Sequence, residues 1–492
     1  MGKIVKQGVL STLFSYMGVV IGYINLLWLF PYALSPEQIG TFKTIQDMAL
    51  LLVPFAQLGL GHGVTRFYPK VKTDQNAFFS LALVLSFIGF ALVASAFLLF
   101  RNQIIASYSV NSPEIINFLG IVLFVAFFAV TSSILDAFAR SFIKIAVPTF
   151  YREVFLRLLT TLLISGYLFD WISFDQMMWG MAGIYLLTLL GMISYMAYLG
   201  ILKLDFGFHV FGSKFRKEFI SYSLITLLGT AGSIIIMKID SLMVSSMIGL
   251  DANAIYTIGF SIAVVIEMPR RAISQVVMPI IAEKFAENKL ADINELYKKV
   301  GTNQLLLCLF IFLAIWTNID NLYYFVPNRT VYETGKWVVL LIGLGKLSDV
   351  LFSVNGEIIV FSRFYLFNIT STLLMSVMII ILNLVLIPVW GIEGAAFSSL
   401  LSMFFYNLIK YLYMKKRLHF DPFSWDIAKI VFLGGLVFCV IHFLLPTFDE
   451  IILDILAKLA ALSITYLLGI RLMKIAPQSQ ILVLEKIRTW FS

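Results

Sequence analysis

In a chain built mostly of apolar residues, the side chains able to do chemistry are few and their positions stand out. Arg157 interrupts the middle of an apolar run, with Arg152 and Glu153 a turn or so away. Lys238 and Asp240 break a second run, and Glu267 lies in a third, just before Pro269, Arg270 and Arg271. Lys346 and Asp349 occupy the middle of a fourth, Lys43 and Asp47 a fifth, and Lys410 lies late in a sixth. Guanidinium and ammonium groups in apolar surroundings suit an anion. Phosphate suits guanidinium best, because the planar fork bonds two oxygens at once. Carboxylates in such places can exchange H⁺ or Na⁺, which makes Asp47, Asp240, Glu267 and Asp349 the ion-coupling candidates. Bond-making chemistry finds no support. There is no phosphate-binding loop with its Lys-Ser/Thr, and Gly59-x-Gly-x-Gly sits at the end of an apolar run. His62, His209, His419 and His442 lack ligand spacing, and Cys308 and Cys439 read as small hydrophobes inside apolar runs. No cofactor, metal site or disulfide is expected, and the chain does not read as an enzyme.

The elements that position these charges are long. Apolar residues make up 60% of the 492 positions and charged ones 13%, against roughly 45–50% and 25% in a soluble domain. Mean hydropathy is +0.92. About fourteen runs are each long enough to cross the ~30 Å hydrocarbon core as a helix. They are placed near 8–30, 42–62, 78–100, 114–135, 147–169, 177–200, 218–248, 254–276, 300–318, 335–357, 364–387, 392–414, 427–445 and 451–473. No stretch remains for a soluble domain. The net charge of +8 sits in the loops of one side, so it does not read as nucleic-acid affinity. Those loops hold Arg66, Lys70 and Lys72; Arg140 and Lys144; Lys203, Lys214, Arg216 and Lys217; Arg270, Arg271, Lys284, Lys289, Lys298 and Lys299; Arg363; Lys415, Lys416 and Arg417; and the tail from Arg471. The other side holds little beyond Arg101, Arg329 and Lys336. Basic loops face the cytoplasm. An uncleaved first span after Lys3 and Lys6, and an even count that keeps Lys474, Lys486 and Arg488 inside, put both termini there. The connection 277–299 alternates apolar and charged residues at helical spacing, which predicts an amphipathic helix lying at the membrane interface.

The chain also reads as a repeat. Leu34-Ser35-Pro36-Glu37-Gln38-Ile39-Gly40 and Leu250-Asp251-Ala252-Asn253-Ala254-Ile255-Tyr256 lead into spans two and eight, and Trp179-Gly180-Met181-Ala182-Gly183 is matched by Trp390-Gly391-Ile392-Glu393-Gly394. Two six-helix units in the same orientation follow, related by a pseudo-two-fold axis along the membrane normal. They comprise 1–212 and 213–420, with two appended spans and a cytoplasmic tail in 421–492. The fold class is all-α and polytopic, with two pseudo-symmetric lobes around a central cavity.

Three segments carry a family resemblance. Gln57-Leu58-Gly59-Leu60-Gly61-His62-Gly63-Val64-Thr65-Arg66-Phe67 resembles the end of the second span in polysaccharide-exporting flippases of the multidrug/oligosaccharidyl-lipid/polysaccharide superfamily. Leu382-Asn383-Leu384-Val385-Leu386-Ile387-Pro388-Val389-Trp390-Gly391-Ile392-Glu393-Gly394-Ala395-Ala396 is similar to that family's hairpin between spans eleven and twelve. Lys238-Ile239-Asp240 matches a recurrent feature of span seven. The resemblance implies a Wzx-type flippase of the bacterial inner membrane. It also implies a polyprenyl-diphosphate-linked oligosaccharide as cargo, an O-antigen or capsule repeat moved to the outer leaflet, with polysaccharide polymerase or assembly proteins as partners.

On that basis Arg157, Lys238, Lys346 and Arg271, with Arg152 and Arg66, are the cations expected to hold the diphosphate, each with a plainer alternative. Lys346–Asp349 at i, i+3 and Lys43–Asp47 at i, i+4 have the spacing of self-compensating pairs. Arg152, Arg270 and Arg271 lie near enough to the inner interface to snorkel, and Glu153 can neutralise Arg157. Three other activities fit the same spans. A multidrug/cation antiporter would rely on an acidic residue in span one or seven, and span one has none. A lipid II flippase would carry cations in span one, also absent. A membrane glycosyltransferase or polymerase would need a larger outer loop than 319–334.

Overall fold

In hydrocarbon, a backbone N–H or C=O without a partner costs several kcal/mol, and an α-helix pairs all of them within one segment. Each apolar run accordingly forms helix, and among the described residues of the computed structural model, 2–71 and 74–475, there is no strand. Lys72, Lys486 and Arg488 lie outside the described residues. Among the described residues, ten helices are long and apolar enough to cross a membrane, or twelve with two bent pairs each counted as one span. The fourteen runs differ from this count in two places. The 54-residue helix Tyr365–Leu418 contains two runs, folded at Gly391 (φ 59°, ψ −135°). The run at 147–169 is broken by a π-helical turn, Phe150–Phe155. The chain is a multi-pass membrane protein.

It divides into two compact units. The first comprises Met1–Ile258 with Asn383–Ile392. Its helices are α1 (Lys6–Ala33), α2 (Pro36–Gln57), α3 (Leu60–Lys70), α4 (Gln75–Leu99), α5 (Pro113–Ser141), α6 (Leu156–Leu168), α7 (Phe174–Tyr198) and α8 (Ser213–Met247), with the start of α9 (Leu250–Ala286). Ser35 and Ser173 begin α2 and α7 with capping boxes, closed by Gln38 and Gln176; the hydroxyl accepts from the third backbone N–H while the amide reaches back. Between α2 and α3, Leu58 (φ 54°) and Gly59 (φ 69°) turn left-handed and bend the span by 44°.

That bend lets α3 touch α8 closely. A Cβ on Gly59 would strike the Ser223 carbonyl, and one on Gly63 the Ser223 hydroxyl and the Phe219 ring. Below them Phe67, Phe78, Phe79, Phe138, Phe211 and Phe219 form a buried aromatic core. At the other end of α8, Tyr108, Asn111 and Ser112 donate to the carbonyls of Leu242 (3.1 Å), Ser246 (2.9 Å) and Ser245 (2.6 Å). Gly40 packs directly on the Leu250 backbone, so two segments that match in sequence meet in space.

The second unit comprises Gly259–Leu382 and Glu393–Ser492. It holds the rest of α9, then α10 (Leu290–Thr317), α11 (Arg329–Leu351), α12 (Asn355–Phe361), most of α13 (Tyr365–Leu418), α14 (Trp425–Leu444) and α15 (Ile451–Leu472), with a 46° bend between α11 and α12. The expected interfacial helix over 277–299 does not form. α9 runs on to Ala286, three residues turn, and α10 starts at Leu290. Its apolar face, Val277, Ile281, Ile293, Tyr297 and Val300, packs on Ile358, Ile359, Met414 and Phe420. The amphipathic pattern is real, but its partner is protein. α14 and α15 bury Leu433, Val437, Leu462 and Tyr466 against Leu305, Cys308, Leu309 and Phe312 of α10. Cys439 faces outward on α14.

The α2–α3 bend sets a clear contrast between two glycines. Gly59→Ala forces a side chain onto a left-handed backbone and into the Ser223 carbonyl, where Gly61→Ala meets only the movable end of Gln57. The first substitution is expected to destabilise by about 2 kcal/mol or more and the second by less than about 1, read as midpoint shifts in thermal unfolding of the detergent-solubilised protein.

Candidate functional site

A charge inside a membrane needs a partner, and the partners found here come mostly from other helices. Asp47 on α2 accepts from the Lys238 ammonium on α8 at 2.6 Å, with both side chains largely buried. Lys43, one turn earlier on α2, does not pair with Asp47 as its spacing suggests. It donates to Gln46 Oε1 at 3.3 Å and lies 5.3 Å over the Phe30 ring, within electrostatic reach of Asp47, Lys238 and Arg157. At i, i+4 a lysine and an aspartate can meet, but a second ammonium arriving head-on from α8 takes the carboxylate at shorter range.

Arg157 follows the π turn of α6, the kind of helical irregularity that gathers at functional sites. Glu153 Oε2 lies 3.3 Å from its Nη2. Its guanidinium rests on α1 where Gly18 and Gly22 leave a slot: a Cβ on Gly22 would fall 3.1 Å from Nε, and one on Gly18 2.6 Å from Nη1. The buried Nη1 has no hydrogen-bond partner. Asn25, in the π turn of α1, donates to the Arg157 carbonyl at 3.1 Å and accepts from Thr161 at 2.8 Å, tying α1 to α6. Gln46 donates to the Tyr185 hydroxyl of α7 at 3.3 Å. Lys43, Arg157 and Lys238 thus converge from α2, α6 and α8 with two carboxylates, Asp47 and Glu153, leaving one positive charge in excess.

Asp240, also on α8, accepts from the Tyr256 hydroxyl at 2.8 Å and from Asn383 at 2.7 Å. Thr44, Ser245 and Asn253 extend the polar patch through hydrogen bonds of 2.6 and 2.9 Å. Arg152 bonds Asp136 at 2.8 Å and Glu153 at 3.0 Å, and Arg140 shares Asp136 at 3.2 Å. Arg66 stacks on the Tyr222 ring at 4.2 Å.

The second unit carries a separate knot. Lys346 pairs with Glu267 at 2.7 Å rather than with Asp349, and Asp349 pairs with Arg270 at 3.1 Å. Arg270 does not snorkel. Pro269 and a 3₁₀ turn at Val265–Glu267 restart the helix just before it. Its side chain is 13% exposed, and Glu267 and Glu357 both lie 3.8 Å away. Arg271, half exposed, reaches Glu267 at 3.2 Å. Asn407 donates to Asp349 and accepts from Asn355, both at 2.9 Å. Three cations balance three carboxylates. The buried carboxamides Asn25, Asn355, Asn383 and Asn407 were invisible to a search for ionisable residues. A scan for any polar side chain inside an apolar run finds all four.

The Asp47–Lys238 pair makes a thermodynamic prediction. Removing one partner leaves a buried charge, whereas neutralising both does not. Asp47→Asn or Lys238→Gln alone should lower stability by about 3 kcal/mol, and the double variant should recover most of it, measured as unfolding midpoints in a double-mutant cycle.

Comparison with known proteins agrees with this architecture. Residues 5–285 match the model of the family described as polysaccharide biosynthesis protein. A search of curated protein sequences finds no significant match. Among solved structures, the lipid II flippase MurJ in an inward closed conformation aligns over 95% of this chain and 99% of its own, with TM-score 0.73 and 13% identity. An inward-facing multidrug resistance MATE family transporter of the MOP superfamily aligns over 82% of this chain and 94% of its own, with TM-score 0.62 and 14% identity. The Vibrio cholerae MATE transporter VcmN in its bent form covers 85% and 98%, with TM-score 0.53 and 13% identity. At such identities the likeness is one of fold. The family match spans more than half of the chain, and with it the chain belongs to the polysaccharide biosynthesis protein family, with a fold like that of MurJ and the MATE transporters.

Proposed function

We propose that the protein is a flippase that carries a polyprenyl-diphosphate-linked oligosaccharide, an O-antigen or capsule repeat, from the inner to the outer leaflet of a bacterial inner membrane, with both termini cytoplasmic. The observation that carries this reading is the uncompensated positive charge of Lys43, Arg157 and Lys238 at membrane depth in the first unit. An excess cation there is costly, and a diphosphate is the part of the cargo that offsets it. Arg157, with its free Nη1 beside the glycines of α1, is the principal phosphate contact. Family membership supplies the glycan chemistry. The cargo crosses without covalent change, so the protein acts as a transporter and not as an enzyme.

Coupling is assigned to Asp47. When phosphate engages Lys238, Asp47 loses its counter-ion and takes up H⁺ or Na⁺ in its place; when the cargo leaves, the ion pair re-forms and expels the ion. Asp240, with Asn383 and Tyr256, lies two residues beyond Lys238 on α8 and is the next carboxylate along that helix. Lys346, Arg271, Glu267 and Asp349 belong to the balanced knot and hold helices together. A second reading, with lipid II as cargo, draws on the fold likeness to MurJ, and it shares the diphosphate and therefore the same cations.

Arg157→Ala at normal membrane abundance should reduce export by about ten- to a hundredfold, the value of one charge-assisted phosphate contact, with lipid-linked oligosaccharide accumulating on the inner leaflet and partial activity in Arg157→Lys. Unchanged export in Arg157→Ala removes the assignment. Rescue of a strain depleted of its lipid II flippase would select the second reading. Asp47→Asn should leave residual export indifferent to collapse of the proton and sodium gradients, measured with ionophores in the same cells.

A further inference from the structure

A chain of alternating charges runs through the first unit. Arg140 and Arg152 both reach Asp136 Oδ2, at 3.2 and 2.8 Å. Arg152 Nε lies 3.0 Å from Glu153 Oε1, and Arg157 Nη2 lies 3.3 Å from Glu153 Oε2. Three guanidiniums thus share two carboxylates. Glu153 differs from Asp136, whose one oxygen takes two arginines: each oxygen of Glu153 takes a different guanidinium. A phosphate group can bridge two arginines in the same way. The backbone explains how the two arginines meet. In a regular α-helix, residues five apart point roughly 140° away from each other. Here the Leu156 N–H donates to the Tyr151 carbonyl. That i→i+5 bond puts one extra residue in the turn and brings residue 157 round over residue 152. Neighbouring helices leave room for the wider turn. A Cβ on Gly191 of α7 would strike the Tyr151 ring, and one on Gly18 of α1 would fall 2.5 Å from the Glu153 carbonyl oxygen.

The seat between Arg152 and Arg157 is open on one side. The Glu153 side chain is 24% exposed and that of Arg152 51%, whereas Asp136 is buried and holds Arg152 from behind. We propose that Glu153 is a built-in stand-in for phosphate. It keeps the forks of Arg152 and Arg157 aimed at one seat, and the diphosphate of the cargo displaces it there while the carboxylate turns out toward the open side. One anion leaves as another arrives, so neither guanidinium is stranded without a partner during the exchange. Arg152 is then a second binding residue, and Asp136 a positioning residue that acts through it. This rests on the export reading, in which Arg157 is the phosphate contact, and adds to it a second arginine and a competing carboxylate.

The test measures equilibrium binding of radiolabelled undecaprenyl diphosphate to the full-length protein in phosphatidylcholine nanodiscs. Arg152→Ala should bind about tenfold more weakly, the loss of one charge-assisted contact. Asp136 and Glu153 keep Arg140 and Arg157 as partners in that variant, so it is expected to fold. Glu153→Gln should bind about tenfold more tightly, because the competing anion is gone. Opposite shifts from adjacent residues are a result that a purely structural role would not give. Glu153→Asp, too short to reach both guanidiniums, should also tighten binding, and it decides the matter if Glu153→Gln fails to fold. Unchanged or weaker binding in a folded Glu153 variant overturns the proposal, as does unchanged binding in Arg152→Ala. If only Arg157→Ala weakens binding, the seat is wrong and the export reading survives. If wild type binds no undecaprenyl diphosphate, or Arg157→Ala leaves binding unchanged, both fall.

Discussion

A buried charge must be met by another charge or a ring of hydrogen bonds, and this constraint decides how the helices sit. In hydrocarbon the apolar faces gain little from one another, since lipid tails are equally apolar, so close packing and polar contacts select the neighbours. Both kinds of contact act on α8. Gly59 and Gly63 bring α3 against Ser223, and Tyr108, Asn111 and Ser112 hold the other end through backbone carbonyls. Between those ends Lys238 reaches Asp47. The pair fixes the rotation of α8 about its axis and thereby presents Asp240, two residues on, to Tyr256 and Asn383.

The same constraint separates the two polar clusters by charge balance. In the second unit Glu267, Asp349 and Glu357 are matched by Lys346, Arg270 and Arg271. A balanced set that is hydrogen-bonded through Asn407 and Asn355 has nothing to offer an anion. In the first unit the cations outnumber the carboxylates, and one guanidinium nitrogen is buried without a partner. It is on this unbalanced charge that the proposed anion binding rests.

How much of this could be read from the sequence depends on the range of each interaction. Spans were legible because crossing the membrane needs a run of fixed length, and the turn at Gly391 because only glycine adopts its backbone angles comfortably. Pairing was misread where it depended on other helices. Lys43–Asp47 and Lys346–Asp349 have ideal local spacing, yet Lys238 and Glu267 intervene from elsewhere in the chain. Arg270 looked like an interfacial arginine by depth alone, and the 3₁₀ turn ahead of Pro269 points it inward instead. The 277–299 segment shows the same limit. Periodicity reveals that a helix has an apolar face, and it is silent on whether lipid or a neighbouring helix covers it.

In the proposed export cycle the Asp47–Lys238 ion pair is a means of coupling as well as of stability. The Lys238 ammonium has one strong acceptor, Asp47, and a phosphate competes for the same hydrogens. On the proposed reading, cargo and carboxylate compete for that one lysine, so cargo binding would raise the affinity of Asp47 for a small cation, and the cation would raise the affinity of the site for cargo. Reciprocity of this sort is a thermodynamic necessity once two ligands share a linked group. It requires no long pathway between sites, only that Asp47 and Lys238 lie on different helices, α2 and α8, which is how this chain folds.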